Sequence, residues 1–176
     1  MTLTVLILAM IAAANPLRAV SARPDDTTTA TVAAAAATTL VLVGLTAVVS
    51  GPFLDLIDLS GPSARIAAGI ALLVVSLRDV FLAPPSASPA PSGPVAGVVP
   101  LAFPVVFTPA LALLAVAGGA ERGVGPTVLA GAVAMIPVVV GLLLGSLRAS
   151  RMGVATVGIG GAGLAALVVL DGVYAI

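Results

Sequence analysis

Two dipeptides carry the clearest chemical potential in this chain: Asn15-Pro16 and Thr108-Pro109, each set inside a long uncharged apolar run. A proline within a helix removes one backbone donor and pushes away the carbonyl one turn earlier. In an apolar surround an unpaired carbonyl costs several kcal/mol unless protein, water or a ligand satisfies it. Asn15 places an amide beside one break and Thr108 a hydroxyl beside the other. If the two broken helices meet, freed carbonyls, the Asn amide and half-helix ends would gather near mid-membrane. Half-helix amino ends attract a carboxylate and carbonyl ends a cation, which suits a small zwitterion. The plain alternative is a kink, because helices in lipid tolerate proline.

Other polar residues each allow two readings. Arg18 stands just past the first break, where it either snorkels to the nearby headgroups, the favoured reading, or faces a central cavity. Asp171, near the end of the last run, is either a solvated helix end or a carboxylate that couples transport to H+ or Na+. Asp79 follows Arg78 and is expected to pair locally or meet water. Asp55, Asp58, Glu121 and Arg122 fall in predicted loops. His and Cys are both absent, which removes disulfides, thiol chemistry, imidazole acid–base work and most transition-metal sites. No catalytic constellation and no pair of acids at matching depth is left, so neither an enzyme nor a cofactor is expected.

The elements that would position these groups follow from composition. Of all residues 60% are apolar and 8% charged, with a mean hydropathy of +1.28. A soluble domain carries about a quarter charged residues, so this chain lacks the polar surface to cover itself. Its apolar runs reach the roughly 20 residues that cross a hydrocarbon core, which makes helices the expected spanning form. Net charge is zero and no basic stretch follows a phosphate backbone, so nucleic acid is not an expected partner. The first run lacks a basic leading segment and is expected to be a retained helix rather than a cleaved signal.

Six spans are predicted: Thr2 to Ser21, Ala30 to Ser50, Ser63 to Leu82, Val95 to Ala117, Val124 to Leu147 and Met152 to Val173. Gly51-Pro52 is expected to stop the second. The Pro/Ser/Ala-rich linker 84–94 divides one membrane domain, 1–176, into halves 1–83 and 95–176. Span four holds Pro100, Pro104 and Pro109 and is not expected to be straight. With the N-terminus outside, Arg18, Arg23, Arg78, Arg148 and Arg151 collect inside and only Arg65 and Arg122 outside, which favours both termini outside. Phe53, Phe81 and Tyr174 fall at span ends, where aromatic rings anchor to headgroups. Three spans per half make the halves an inverted repeat if they are homologous. The matched positions are the two breaks, Arg65 with Arg151, and Asp79 with Asp171. Gly141 and Gly145 form a GxxxG, and Gly153 leads a Gly-rich last span. These residues are expected to pack spans five and six on each other or on a second copy.

The arrangement resembles the MarC family of six-span bacterial inner-membrane proteins, whose relatives include small neutral amino acid transporters. The matching segments are Asn15-Pro16-Leu17, Ala64 to Ile70, Val99-Pro100-Leu101-Ala102-Phe103-Pro104, Met152-Gly153 and Leu170-Asp171-Gly172. Where the family carries glycines and a later proline, this chain has Arg18, Ser21, Thr108 and Ala110. The resemblance implies ion-coupled movement of a glycine- or alanine-like solute. The expectation is therefore an all-α secondary transporter of a small polar solute in the bacterial inner membrane. Its site would comprise Asn15, Pro16, Pro104, Thr108 and Pro109, its partners being the bilayer, H+ or Na+ and an optional second copy. The alternative is a non-transporting membrane scaffold or complex subunit.

Overall fold

The structure, a computed structural model, describes residues 1–24, 27–82, 93–144 and 150–176. Helix α1, Leu3–Ala14, starts where the Thr2 hydroxyl accepts from the Val5 N–H. It ends at Asn15, whose φ of 38° lies in the left-handed region. Asparagine is among the few non-glycine residues that enter this region readily. The chain restarts at once as α2, Pro16–Ser21, with proline at the first position, where a missing N–H costs nothing.

Helix α3, Thr29–Leu56, opens with a reciprocal Thr28–Thr31 capping box. It does not stop at Gly51-Pro52 as the sequence suggested: Pro52 is inside it, and the helix runs on to Leu56. Pro52 forfeits its own bond to the Val48 carbonyl in the turn before it, and the helix carries on for one further turn. Helix α4, Gly61–Phe81, is capped by Ser60. One turn, α5 (Pro94–Ala96), leads into the irregular proline segment Gly97–Val106. There Val99 (φ −133°, ψ 123°) and Phe103 (φ −126°, ψ 127°) are extended, and the bonds preceding Pro100 and Pro104 are cis. Helix α6, Pro109–Arg122, then leaves at 76° to the preceding stretch. Helices α7, Val124–Leu144, and α8, Arg151–Val173, complete the described chain. Of the expected linker only Gly93 and Pro94 lie within the described residues; 84–92 fall outside them, as does Gly145.

No strand occurs among the described residues. Leu3–Ser21, Thr29–Leu56, Val124–Leu144 and Arg151–Val173 are each long and apolar enough to cross a membrane. Pro94–Val106 with Pro109–Arg122 makes a fifth if the bent pair is one span. The protein therefore has the helices of a multi-pass membrane protein. Val41, Leu45 and Val48 on α3, Ile136, Val140 and Leu143 on α7, and Ile159, Leu167 and Leu170 on α8 are all exposed. Such a coat of large apolar side chains facing outward fits a hydrocarbon solvent.

Helix α1 runs through the centre. Leu6, Ala9, Met10 and Ala13 pack with Leu72 of α4, Leu114 of α6, Ala134 of α7 and Val168 of α8. Small residues set the spacing around it. Gly119 of α6 lies so close to α3 that an added Cβ would sit 2.6 Å from the Ala47 carbonyl oxygen and 2.7 Å from its Cα. Backbone atoms cannot give way as a flexible side chain can. Gly119→Ala is therefore expected to cost about 1–3 kcal/mol as α6 is forced off α3. Unfolding in detergent by a denaturant series would measure it, and an unchanged midpoint would contradict the close approach.

Candidate functional site: a charged junction at the two helix breaks

The break at Asn15 frees the carbonyls of the last turn of α1, and the structure shows what takes them. Arg18 folds back across the gap, and its Nη2 donates to the carbonyl oxygens of Ala13 (2.6 Å) and Ala14 (3.4 Å). Thr108, at the second break, donates its hydroxyl to the same Ala13 oxygen at 3.4 Å. Asn15 and Thr108 thus do parallel work. Each caps the helix beyond its break, accepting from the N–H of Arg18 and of Leu111 respectively. Pro16 and Pro109 begin those helices. Pro104 lies one turn upstream of the second break, in the proline segment. The two breaks are brought together, the outcome that the residue pattern made conditional on the helices meeting.

The charged partner of Arg18 lies on α4. Arg18 does not snorkel: it is 2% exposed, and its Nη1 donates to both oxygens of Asp79 on α4, at 3.0 and 3.2 Å. Asp79 neither pairs with its neighbour Arg78 nor meets water; it is 6% exposed. The Asn15 amide donates to Asp79 Oδ2 at 2.7 Å and reaches the Val154 carbonyl oxygen on α8 at 3.5 Å. The physical reason for the correction is the break itself. A straight helix would carry Arg18 toward the headgroups, whereas the left-handed turn at Asn15 leaves bare carbonyls within its reach. A guanidinium held by carbonyls in an apolar interior needs a counter-ion, and Asp79 is placed to supply it. Opposite charges at the ends of the first and third predicted spans, on the same predicted side, were the signal that could have suggested the pair. The pairing leaves one loose end, since buried Arg18 Nε has no hydrogen-bond partner among the described residues.

Glycines frame the junction. Gly158 of α8 faces the Ser76 carbonyl oxygen (2.8 Å to an added Cβ) and the Asp79 Cβ (3.4 Å), so α8 holds α4 against the break. Gly141 of α7 packs on Val20 and Gly153 of α8 on Leu17, both side chains of α2. The neighbour of these two glycines is α2 rather than each other's helix.

Asp171 lies elsewhere. It pairs with Arg65, and the Met1 ammonium stands 2.8 Å from Asp171 Oδ2 and 2.6 Å from Glu121 Oε1. Arg65 Nε is 3.3 Å from Glu121 Oε2, and Arg122 donates to the Met1 carbonyl oxygen. Glu121 and Arg122 are therefore engaged rather than idle loop residues. This cluster ties the start of α1 and α4 to the ends of α6 and α8. Arg65 and Asp79 are 14 positions apart on α4, so the two clusters are separated by about 20 Å along that helix. Among the described residues no group of three or more acids is arranged to hold a metal ion.

No family model, curated protein or solved structure matches this chain.

Proposed function

We propose that this protein is a secondary transporter of a small polar solute, a diverged relative of the MarC family, and not an enzyme. Its solute site would be the junction where the two broken helices meet. The observation that carries the reading is the Thr108 hydroxyl on the Ala13 carbonyl, with Asn15, Arg18 and Asp79 buried around it. Polar groups buried in a membrane bundle are expensive, and they typically mark a solute or ion path. A break that served only to kink a helix would need no buried charge pair.

In this reading α4 is also a span, giving six in two inverted halves with both termini outside the bacterial inner membrane. Two features support it. Met1, Arg65, Glu121, Arg122 and Asp171 share one end of the bundle, as six spans require in either orientation. Some helix pairings also have a counterpart when the halves are swapped, although the extensive packing of α4 on α6 is matched only by a slight contact of α8 with α2. The pairing of α1 with α7 corresponds to that of the proline segment with α3, and α2 with α7 corresponds to α6 with α3. The third helices of the halves, α4 and α8, pack on each other. Gly141 and Gly153, which the scaffold alternative would place at its interface, are packed inside the chain on α2.

Counterflow in proteoliposomes tests the proposal. Vesicles loaded with unlabelled alanine, glycine or serine are expected to take up the labelled solute. Asn15→Ala and Thr108→Ala should each slow entry several-fold while the protein still elutes as a folded species. Flux unchanged in both variants would remove the junction from the path. Folded wild type that moves none of these solutes, nor a wider polar panel, would shift the weight to the scaffold.

A further inference from the structure

Arg18 has five N–H donors and a charge it does not lose in a protein. A pair built only for stability would present the forked face of the guanidinium to the carboxylate, two nitrogens to two oxygens. Here Asp79 is met end-on by Nη1 alone, Nη2 is turned to the helix carbonyls, and Nε bonds to nothing among the described residues. Ala14 and Ala19, on either side of Arg18 in the chain, belong to an apolar cluster with Leu101, Val138 and Leu142. An Arg donor left without a partner at such burial is an unused carboxylate-binding group, and Asp79 engages only the Nη1 end of the guanidinium.

From this juxtaposition we infer that Arg18 is the recognition group for a carboxylate-bearing solute, and that Asp79 is the internal stand-in this solute displaces. The inference rests on the transport reading and gives its site a ligand class. Charge balance then fixes what must accompany the solute. With Asp79 in place the pair is neutral. When a solute carboxylate takes the guanidinium, Asp79 is left as a buried anion with the Asn15 amide as its remaining hydrogen-bond donor. One positive charge must then reach it. Either a proton converts its carboxylate to the neutral acid, or an ammonium group on the same solute forms the new pair. The only covalent change is the O–H bond made on Asp79 in the proton route; the ammonium route makes and breaks none. Each carboxylate enters with one cation, and the junction stays neutral throughout. Around Asp79 the charged groups are Arg18 from α2 and Arg78 beside it on α4. α8 contributes the Val154 carbonyl, the Gly158 backbone and the charge of Arg151, whose Nη2 reaches the Phe81 carbonyl oxygen at 3.4 Å. The Asp171 cluster is remote and takes no part in this exchange.

The test is binding, read separately from flux. Purified wild type and Asp79→Asn are titrated in detergent with propionate, alanine and, as a control, propionamide, following the thermal midpoint. Removing the internal competitor should make more Arg18 available, so the propionate midpoint concentration is expected to fall at least about tenfold in Asp79→Asn. Propionamide should stabilise neither protein. In weakly buffered wild type, propionate should bind with uptake of one proton and alanine with none. Uptake with propionate should vanish in Asp79→Asn. An unchanged or weaker response to propionate in that variant, or equal stabilisation by the amide, would overturn the inference.

If Asp79→Asn does not fold, the comparison passes to the doubly neutral R18Q/D79N protein. There carboxylate stabilisation should be lost, and its retention at wild-type strength would overturn the assignment. Carboxylate binding without counterflow would leave this site standing and remove the transport reading. Counterflow without carboxylate preference would do the reverse.

Discussion

Neutralising either member of the buried pair alone, by Arg18→Gln or Asp79→Asn, is expected to destabilise the protein by about 3–5 kcal/mol. Neutralising both should restore most of that loss. The cause is uncompensated charge. Arg18 and Asp79 are both taken from solvent by the helices around the break, and the pair offsets part of that desolvation. Removing the aspartate leaves a guanidinium whose partners are the Ala13 and Ala14 carbonyls, which satisfy its hydrogens but not its charge. Removing the arginine strands the carboxylate and also uncovers those carbonyls. The double variant has no buried charge, and two amides can bond to each other or to Asn15. Because total stabilities are commonly about 5–15 kcal/mol, a single change should leave much of the protein unfolded at modest denaturant. A double-mutant cycle in mixed micelles reads this directly. Additive losses, with no recovery in the double variant, would show that the pair is not coupled as the geometry requires.

Gly158→Leu is expected to be strongly damaging, and Gly160→Leu, on the same helix, nearly silent. The first would drive a side chain into the Ser76 carbonyl and Val80, with its Cβ 2.8 Å and 3.0 Å from them. The second meets nothing within 4 Å. Close packing by small residues is a main source of helix association in lipid, where no hydrophobic force separates one apolar surface from another. Overpacking costs of about 1–3 kcal/mol are usual for one or two extra methylenes, and a leucine against backbone should reach at least the upper end. The damage would also be directional. Moving α4 away from α1 draws Asp79 from Arg18, so the effect should be smaller in a protein already carrying R18Q/D79N. Monodisperse yield by size exclusion and the thermal midpoint would both report it. Equal tolerance of leucine at positions 158 and 160 would argue against the α4–α8 contact.

Several features of this molecule were legible from residues alone. The uncharged runs require helices in lipid, because backbone groups in hydrocarbon must bond within their own segment. Asn15-Pro16 and Thr108-Pro109 are breaks in the structure because proline cannot donate, and because Asn and Thr can cap the helix beyond each break. Local chemistry is enough for both statements. It was not enough at Gly51-Pro52, where the same proline argument predicted a stop and the helix continues to Leu56. Nor did it locate the partners of Gly141 and Gly153, since a small residue announces close packing without saying against which helix.

The charges were the least legible. Along the chain, Arg18 is two residues past a proline and Asp79 is next to Arg78, so snorkelling and a local pair were the natural expectations. Both fail because the partners are 61 positions apart in sequence and meet only when α4 packs against the broken first helix. Asp171 likewise looked like the outstanding acid of the last span, and the fold assigns it to a cluster with Arg65, Glu121 and the amino terminus. What the sequence determined by itself is the apolar solvent, the helical form of the long runs and the breaks at Asn15-Pro16 and Thr108-Pro109, all properties of a segment and its immediate neighbours. What only the tertiary structure decided is which breaks meet and which charges are buried together. Those outcomes depend on distances between helices, and no single helix carries that information.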